Sequence, residues 1–191
     1  INDILDFSKI EAGKLLLENE TFNIREAIAE TVRIFMPKAN EKGLLFHTAV
    51  DNAVPDYVKG DVVRVKQILN NLLSNAVKFT GKGKIAVHVE KESSTESATV
   101  VKFTVSDSGI GIEEEAKKRL FRPFEQESVK TSRYFGGTGL GLAISKQLVT
   151  MMDGEISCVS EKNEGTVFVF TVKFTNVDAS ADLSSKERVL E

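Results

Sequence analysis

The chain has 191 residues, 41% of them hydrophobic, and its 25 basic and 28 acidic side chains give a formal net charge of −3. This length and composition predict one sizeable α/β domain with short appendages. The balanced charge, without a long basic stretch, argues against nucleic acid as a partner. Apolar runs fall far short of the roughly 18 residues that span a bilayer. We therefore expect a cytoplasmic domain, even if a longer parent protein is anchored in a membrane.

The two ends of the chain are expected to be appendages of the main domain. Residues 1–13 predict a short interaction helix, which Gly13 can end. Its narrow stripe of apolar and small side chains consists of Ile1, Ile4, Leu5, Ser8 and Ala12. Because the first turn is already amphipathic, we expect the chain to be part of something longer. Residues 177–191 are polar and rich in serine, which is typical of a linker or tail.

Helices and strands are mixed along residues 14–176. The predicted helices are 24–42, 61–80 (begun by the N-cap Asp61) and 140–152. The predicted strands are a short extended segment near 15–22, 44–50, 85–89, 101–105, 156–160 and 166–174, with a polar loop at 92–97. This order predicts an α+β fold, a two-layer α/β sandwich in which helices cover one face of a mixed sheet.

Four polar side chains follow one face of the long helix. Gln67, Asn71, Asn75 and Lys78 are spaced so that they fall within about 80° of one another. Asparagine is a poor helix former. Two asparagine oxygens one turn apart suit a hard cation, and Lys78 adds a point charge for phosphate. The alternative is an ordinary solvated helix face.

Two glycine-rich segments are candidate ligand loops. Asp107 follows a strand and opens the sequence DSGIGI, where a carboxylate could accept the exocyclic amine of adenine and the glycines allow close approach. An ordinary turn fits the same pattern. Residues 136–142 open directly into a helix, whose free N–H groups and positive dipole end can hold phosphates. This segment is neither a P-loop nor a Rossmann turn, and a flexible loop with a helix cap is the alternative.

Together and in this order, these segments resemble the boxes of sensor histidine kinases. Residues 67–80 resemble the asparagine box, and the other boxes are matched by 107–111, 120–126, 137–142 and Gly165-Thr166. Arg122 departs from the pattern, since the family usually has an acidic residue there. Residues 1–13 resemble the end of the second helix of the dimerisation and histidine-phosphotransfer hairpin, especially in hybrid kinases. Residues 14–176 would then be the catalytic ATP-binding domain.

The resemblance implies the Bergerat ATP-binding fold, with ATP and Mg²⁺ held between the long helix and a mobile lid at residues 126–137. Asn75 would bind the metal, Asn71 and Lys78 would lie near the phosphates as catalytic residues, and Asp107 would bind adenine. Thr166 would support the Asp107 contact through its hydroxyl or a water. The other implied nucleotide contacts are Gly109, Gly111, Ile112, Phe124, Lys130, Arg133, Gly137, Thr138, Gly139, Leu140, Gly141 and Leu142.

The fold alone does not determine the reaction. GHKL-type ATPases of the gyrase, mismatch-repair and chaperone classes place a glutamate one turn before the metal-binding asparagine, where it activates water. Here that position is Asn71, and an amide cannot take a proton from water. Transfer of the γ-phosphate is therefore favoured over hydrolysis, and a non-catalytic nucleotide-binding module is the third hypothesis.

The resemblance implies transfer to a histidine that this chain lacks. His47 and His88 lie in strand-like alternations, without the sequence context of a kinase acceptor. The acceptor is expected upstream of Ile1, on the hairpin of a homodimeric parent. The other implied partner is a downstream response-regulator receiver domain, as in two-component signal transduction.

Overall fold

The computed structural model describes residues 2–125 and 138–177. In chain order the elements are α1 (Asn2–Glu11), β1 (Glu20–Asn23), α2 (Ile24–Glu41), β2 (Leu45–Val50), β3 (Tyr57–Gly60), α3 (Val62–Phe79), β4 (Lys84–Ser94), β5 (Ala98–Asp107), α4 (Glu114–Lys117), α5 (Gly141–Met151), β6 (Ile156–Glu161) and β7 (Gly165–Asn176). None of the described helices is both long enough and apolar enough to cross a bilayer.

Across the described residues, seven strands form one mixed sheet, six of them in the order β1-β3-β7-β5-β4-β2 and β6 off this path. β6 pairs with the first half of β7, and β3 pairs with its last residues. The β2–β4 pair is parallel, whereas the other pairs are antiparallel. The predicted mixed sheet is therefore confirmed, and β5 and β7 lie at its centre.

The core lies between the sheet and the helices that cover one of its faces. Alternate residues of β4, β5 and β7 are buried, as expected when successive side chains point to opposite faces. The apolar stripe of α3 is buried with them and consists of Val65, Ile68, Leu69, Leu72, Leu73, Ala76 and Val77. The rings of Phe103 and Phe170 stack in this core with centroids 4.6 Å apart. The predicted two-layer sandwich is confirmed.

The ends of the helices follow the predicted capping pattern. The Asp61 carboxylate accepts the Arg64 N–H at 3.0 Å, which satisfies one free donor at the start of α3. Gly13 ends the first helix with φ of 63°. Its N–H donates to Ile10 O and the next N–H, that of Lys14, donates to Lys9 O, both at 2.9 Å, as in a Schellman motif. α1 therefore ends before Gly13, with carbonyl groups of its last turn hydrogen-bonded.

The two sides of α1 lie in different surroundings. Ile4 and Leu5, in the predicted stripe, are 53% and 55% exposed, while Phe7 and Ile10 pack against the core. Both sides of this helix carry apolar residues, so periodicity predicted the helix but not the side that packs on the domain. Ile1 lies outside the described residues.

The β4–β5 hairpin is longer than predicted. The strands continue to Ser94 and resume at Ala98, so the connection is shorter than the predicted loop at 92–97. The polar residues Glu92 to Ser94 are exposed, and β4 is irregular in register between Lys91 and Ser93. Polar composition was mistaken for a loop because these side chains lie on an exposed end of the hairpin. β3 and α4, each of four residues, are too short for periodicity to predict.

The aromatic stack provides a test of the core. We expect Phe103→Ala to lower the free energy of unfolding by about 3–5 kcal/mol, because the ring is fully buried and its removal leaves a cavity. Chemical denaturation followed by circular dichroism measures the change. Leu45→Ala is the matched control, since that side chain is 74% exposed and should change stability by no more than about 0.5 kcal/mol. Equal losses in the two variants would contradict this description of the core.

Candidate functional site

The predicted polar row lies along the outer face of α3. Gln67, Asn71, Asn75 and Lys78 are all half-buried, and the helix is continuous through them, so they share one face. Burial lowers the pKa of Lys78 from its usual 10.5, because desolvation penalises the ammonium. The amine lies 4.7 Å from the centre of the Phe79 ring. A bound anion would favour the charged form of this side chain.

The first member of the row serves a different purpose from the other three. Gln67 Nε2 donates to Asp6 Oδ2 of α1 at 2.9 Å, and Arg64 donates to the same oxygen at 3.1 Å. Arg64 also donates to Gln67 Oε1 at 2.7 Å. These three side chains hold α1 against the start of α3.

Asn71 joins the long helix to α5. Its Nδ2 donates to the Gly141 carbonyl at 2.9 Å and to Ser145 Oγ at 3.2 Å. The structure therefore brings together two segments 70 residues apart in the chain, both predicted to lie near phosphates. Asn75 and Lys78 are the next members of the same helix face.

Asp107 ends β5 at the opposite end of that face. Its Oδ1 accepts the Gly109 N–H at 2.8 Å. Burial raises the pKa of Asp107 above its usual 3.8, and backbone N–H groups of Gly109 and Thr166 oppose the rise by favouring the carboxylate. The Thr80 hydroxyl also lies close enough to favour the ionised form. It is buried, however, and completes no hydrogen bond of standard geometry with the described residues. Sequence reasoning did not single out Thr80.

The glycines after Asp107 are required by close backbone contacts. A Cβ on Gly109 would lie 2.6 Å from Phe79 O, and one on Gly111 would lie 1.9 Å from Glu161 O. Gly111 also has φ of +66°, which favours glycine. The loop after β5 therefore packs closely between the end of α3 and the β6–β7 turn.

A buried serine connects this loop to the β6–β7 turn. Ser160 Oγ accepts the Ile112 N–H at 2.9 Å, donates to Gly165 O at 2.7 Å, and lies 2.9 Å from Thr166 Oγ1. The Thr166 hydroxyl therefore pairs with Ser160, whereas its backbone N–H favours the Asp107 carboxylate. Sequence reasoning missed Ser160, because a serine near the end of a strand gives no periodic signal.

The start of α5 carries several of the predicted contacts. Leu140 is fully buried in the core, and its N–H donates to Thr138 Oγ1 at 3.3 Å. Among the described residues, no side-chain hydrogen bond caps this helix start, and Gly139 has φ of +70°. Leu142 is half-buried and packs against the core. N–H groups of the first helical turn are the donors that such a site can present to phosphate.

Thr138 and Phe124 face the N-terminal helix. Thr138 Oγ1 lies 3.2 Å from Asp3 Oδ2, and the Phe124 ring packs edge-on against Phe7 with centroids 6.0 Å apart. The Phe124 N–H donates to Gly139 O at 3.0 Å, which joins the phenylalanine segment to the second glycine segment. Lys130, Arg133 and Gly137, with the predicted lid at 126–137, lie outside the described residues.

The two ends of the site are spaced along one helix. Asn71 and Thr80 lie roughly 13 Å apart along the axis, at 1.5 Å per residue. Asp107 lies next to Thr80, and α5 begins next to Asn71. An elongated ligand with a base at one end and an anion at the other fits this arrangement. The two histidines lie on β2 and β4, as predicted, and His88 Nε2 is 3.1 Å from Asp51 Oδ1.

Gly111 provides a test of the loop geometry. Gly111→Ala should lower the free energy of unfolding by about 1–3 kcal/mol, because it forces an L side chain into a left-handed conformation against Glu161 O. Thermal denaturation measures the loss. Gly81→Ala is the control, since a Cβ there meets no atom within 4 Å and φ is not positive. The geometry described here would be wrong if both variants unfolded at the same temperature as the parent.

Residues 60–176 match the protein family described as histidine kinase-, DNA gyrase B-, and HSP90-like ATPases. The chain is 42% identical over 183 residues to the signal transduction histidine-protein kinase BarA of Escherichia coli (strain K12). That match covers 96% of this chain and 20% of BarA. The chain thus spans about a fifth of this curated relative.

Solved structures show the same fold. Full-length ShkA, in complex with AMPPNP, is 32% identical with a TM-score of 0.78, covering 93% of this chain and 36% of ShkA. The catalytic domain of histidine kinase ThkA, in a nucleotide-free form, is 32% identical with a TM-score of 0.64, covering 82% of this chain and 97% of that domain. A structure of ThkA with the response regulator protein TrrA is 29% identical with a TM-score of 0.63, covering 89% of this chain and 46% of ThkA.

Proposed function

Because the chain belongs to the family of histidine kinase-, DNA gyrase B- and HSP90-like ATPases, and within it to the catalytic domains of histidine kinases, we propose that it binds ATP with Mg²⁺ and donates the γ-phosphate to a histidine outside these residues. One observation carries the proposal. A single face of α3 presents Asn75 and Lys78 between Asp107 at one end and the start of α5 at the other.

Asp107 is proposed to select adenine. Its carboxylate is held by the Gly109 N–H and is partly desolvated, so an amine that donates to it would compensate for lost hydration. Adenine has such an exocyclic amine, whereas guanine presents a carbonyl oxygen at the corresponding position, which an ionised carboxylate would repel. Gly109 and Gly111 let the loop pack closely against Phe79 and Glu161, which holds Asp107 in place for this contact.

Phosphate binding is assigned to α3 and α5. The N–H groups at the start of α5 would donate to phosphate oxygens, as would the Lys78 ammonium. Asn75 fits the role of Mg²⁺ ligand, since this ion keeps several waters and takes few protein oxygens beside those of phosphate. When bound, Mg²⁺ would neutralise charge on the transferred group. Within the protein, Asn75 supplies an oxygen on the same side of α3 as Lys78.

Asn71 favours phosphoryl transfer over hydrolysis. Its amide nitrogen donates to two acceptors, Gly141 O and Ser145 Oγ, and an amide cannot act as a general base toward water. A site without such a base relies on positioning an acceptor in line with the γ-phosphate. The acceptor is proposed to be a histidine of the dimerisation hairpin, since neither His47 nor His88 lies on an element of the site.

The whole-protein context stays a prediction. Residues 1–13 are assigned to the end of the dimerisation helix, 14–176 to the catalytic domain and 177–191 to a linker or tail. The parent is expected to be a homodimer that passes its phosphoryl group to a response-regulator receiver domain. The ThkA complex with TrrA is consistent with that expectation.

Nucleotide selectivity tests the role of Asp107. The protein should bind ATP with Mg²⁺ more tightly than GTP with Mg²⁺ in a calorimetric titration. Asp107→Asn should weaken ATP binding by about ten- to a hundredfold, equivalent to roughly 1–3 kcal/mol, because one acceptor becomes a donor facing the amine. Glu164→Gln also neutralises one carboxylate, at an exposed turn position, and should bind like the parent. Equal affinity for ATP and GTP would overturn the assignment.

Labelling with γ-labelled ATP tests the reaction. The 191-residue chain alone should bind ATP without labelling itself, whereas a longer chain that includes the upstream hairpin should acquire label on a histidine of that hairpin. The bond should be labile to acid and stable to alkali, as a phosphoramidate is. Asn75→Ala in the longer chain should abolish labelling.

Two different results would contradict the histidine-kinase proposal. Acid-stable label on the 191-residue chain would indicate another class of kinase. Rapid phosphate release by the purified chain that survives Asn75→Ala would indicate an ATPase that does not use this site, and the histidine-kinase proposal would then fail.

A further inference from the structure

A buried contact joins α3 to α5 beneath the proposed phosphate site. Ser145, in the second turn of α5, is fully buried, and its hydroxyl accepts a hydrogen from Asn71 Nδ2 at 3.2 Å. The other amide hydrogen goes to the Gly141 carbonyl, in the first turn of the same helix, at 2.9 Å. One side chain of α3 thus holds two successive turns of α5.

Gly141 allows this close approach. A Cβ at that position would lie 2.9 Å from Asn71 Oδ1 and 3.4 Å from Nδ2. With any larger residue, either the Asn71 side chain or the start of α5 would have to shift. The glycine and the asparagine therefore form a matched pair, in which the absent side chain makes room for the amide.

We propose that Asn71 is a positioning residue, which sets the place of the α5 N-terminus relative to Asn75 and Lys78 through its bonds to Gly141 and Ser145. This inference rests on the proposed nucleotide site. It assigns Asn71 a different role from direct contact with phosphate or metal. The side chain acts on the ligand through α5, whose first-turn N–H groups form one wall of the site.

The chemistry at position 71 follows from its two partners. Gly141 O can only accept a hydrogen bond, and the Ser145 hydroxyl needs a partner because it is buried. A carboxylate there would offer no hydrogen to the carbonyl. An amide supplies two donors in one plane, so it can bind both partners at once. This gives a structural reason for an amide at the position where hydrolytic members of the fold are expected to carry a glutamate.

Loss of the Asn71 contact should affect binding only at the phosphate end of the ligand. Binding by a helix terminus depends on N–H groups aimed at the anion, and that alignment degrades when the helix shifts. Asp107 and its loop are held by separate contacts, at Phe79, Ser160 and Glu161. Weakening the contact at Asn71 should therefore reduce the gain in affinity from adenosine to ATP and leave adenosine binding unchanged.

The experiment compares adenosine and ATP with Mg²⁺ on the 191-residue chain, followed by NMR titration so that weak binding is measured. The proteins are the parent, Ser145→Ala, Asn71→Ala and the double variant. Ser145→Ala should weaken ATP binding by about two- to tenfold and Asn71→Ala by about tenfold or more. The double variant should match Asn71→Ala, because the serine acts only through the asparagine. Adenosine affinity should be the same in all four, which also shows that each variant is folded.

Thr150→Ala is the matched control. Thr150 lies on α5 and its hydroxyl donates to Lys146 O at 2.9 Å within the same helix, so its removal should leave the affinity for ATP unchanged. If Ser145→Ala binds ATP like the parent, or if its effect adds fully to that of Asn71→Ala, the positioning role is wrong and Asn71 acts on the ligand directly. If the parent binds neither adenosine nor ATP, the proposed function itself fails.

Discussion

Burial of one face of α3 against the sheet determines where the polar side chains of its other face lie. Seven apolar residues of this helix are buried in the core, and a rotation that exposed them would cost about 1.5–3 kcal/mol for each large side chain. The helix is therefore unable to turn about its axis. Asn71, Asn75 and Lys78 are held in a fixed row, and the loop after β5 and the start of α5 are placed by their contacts with this helix.

Both charged groups of the site are less stable in their charged forms than they would be in water. Burial raises the pKa of Asp107 and lowers that of Lys78, and these opposite directions share one cause, which is desolvation. The carboxylate is assigned to the adenine amine and the ammonium to phosphate. A ligand with an amine at one end and phosphates at the other would favour the charged form of each group. Electrostatics thus agree with these two assignments.

The N-terminal helix uses the first part of the same polar row. Gln67 and Arg64 bind Asp6, while Asn71, the next member of the row, bonds to α5. Phe7 packs against Phe124, whose N–H in turn bonds to Gly139 near the start of α5. α1 therefore contacts the elements that bound the site without contributing a residue to the assigned ligand contacts. Its exposed Ile4 and Leu5 remain on the side away from this packing.

The sequence by itself determined the mixed two-layer fold, the long helix with its polar row, and the segments around Asp107 and Gly139. These features depend on periodicity, caps and glycines, which are local properties of the chain. Only the tertiary structure decided that Asn71 binds Gly141 and Ser145, that Ser160 rather than Asp107 pairs with the Thr166 hydroxyl, and that Phe7 rather than Ile4 packs on the domain. Each of these depends on which atoms of distant segments come within about 3–4 Å. Residue spacing along one helix or strand does not contain that information, because it arises when helices and strands pack together.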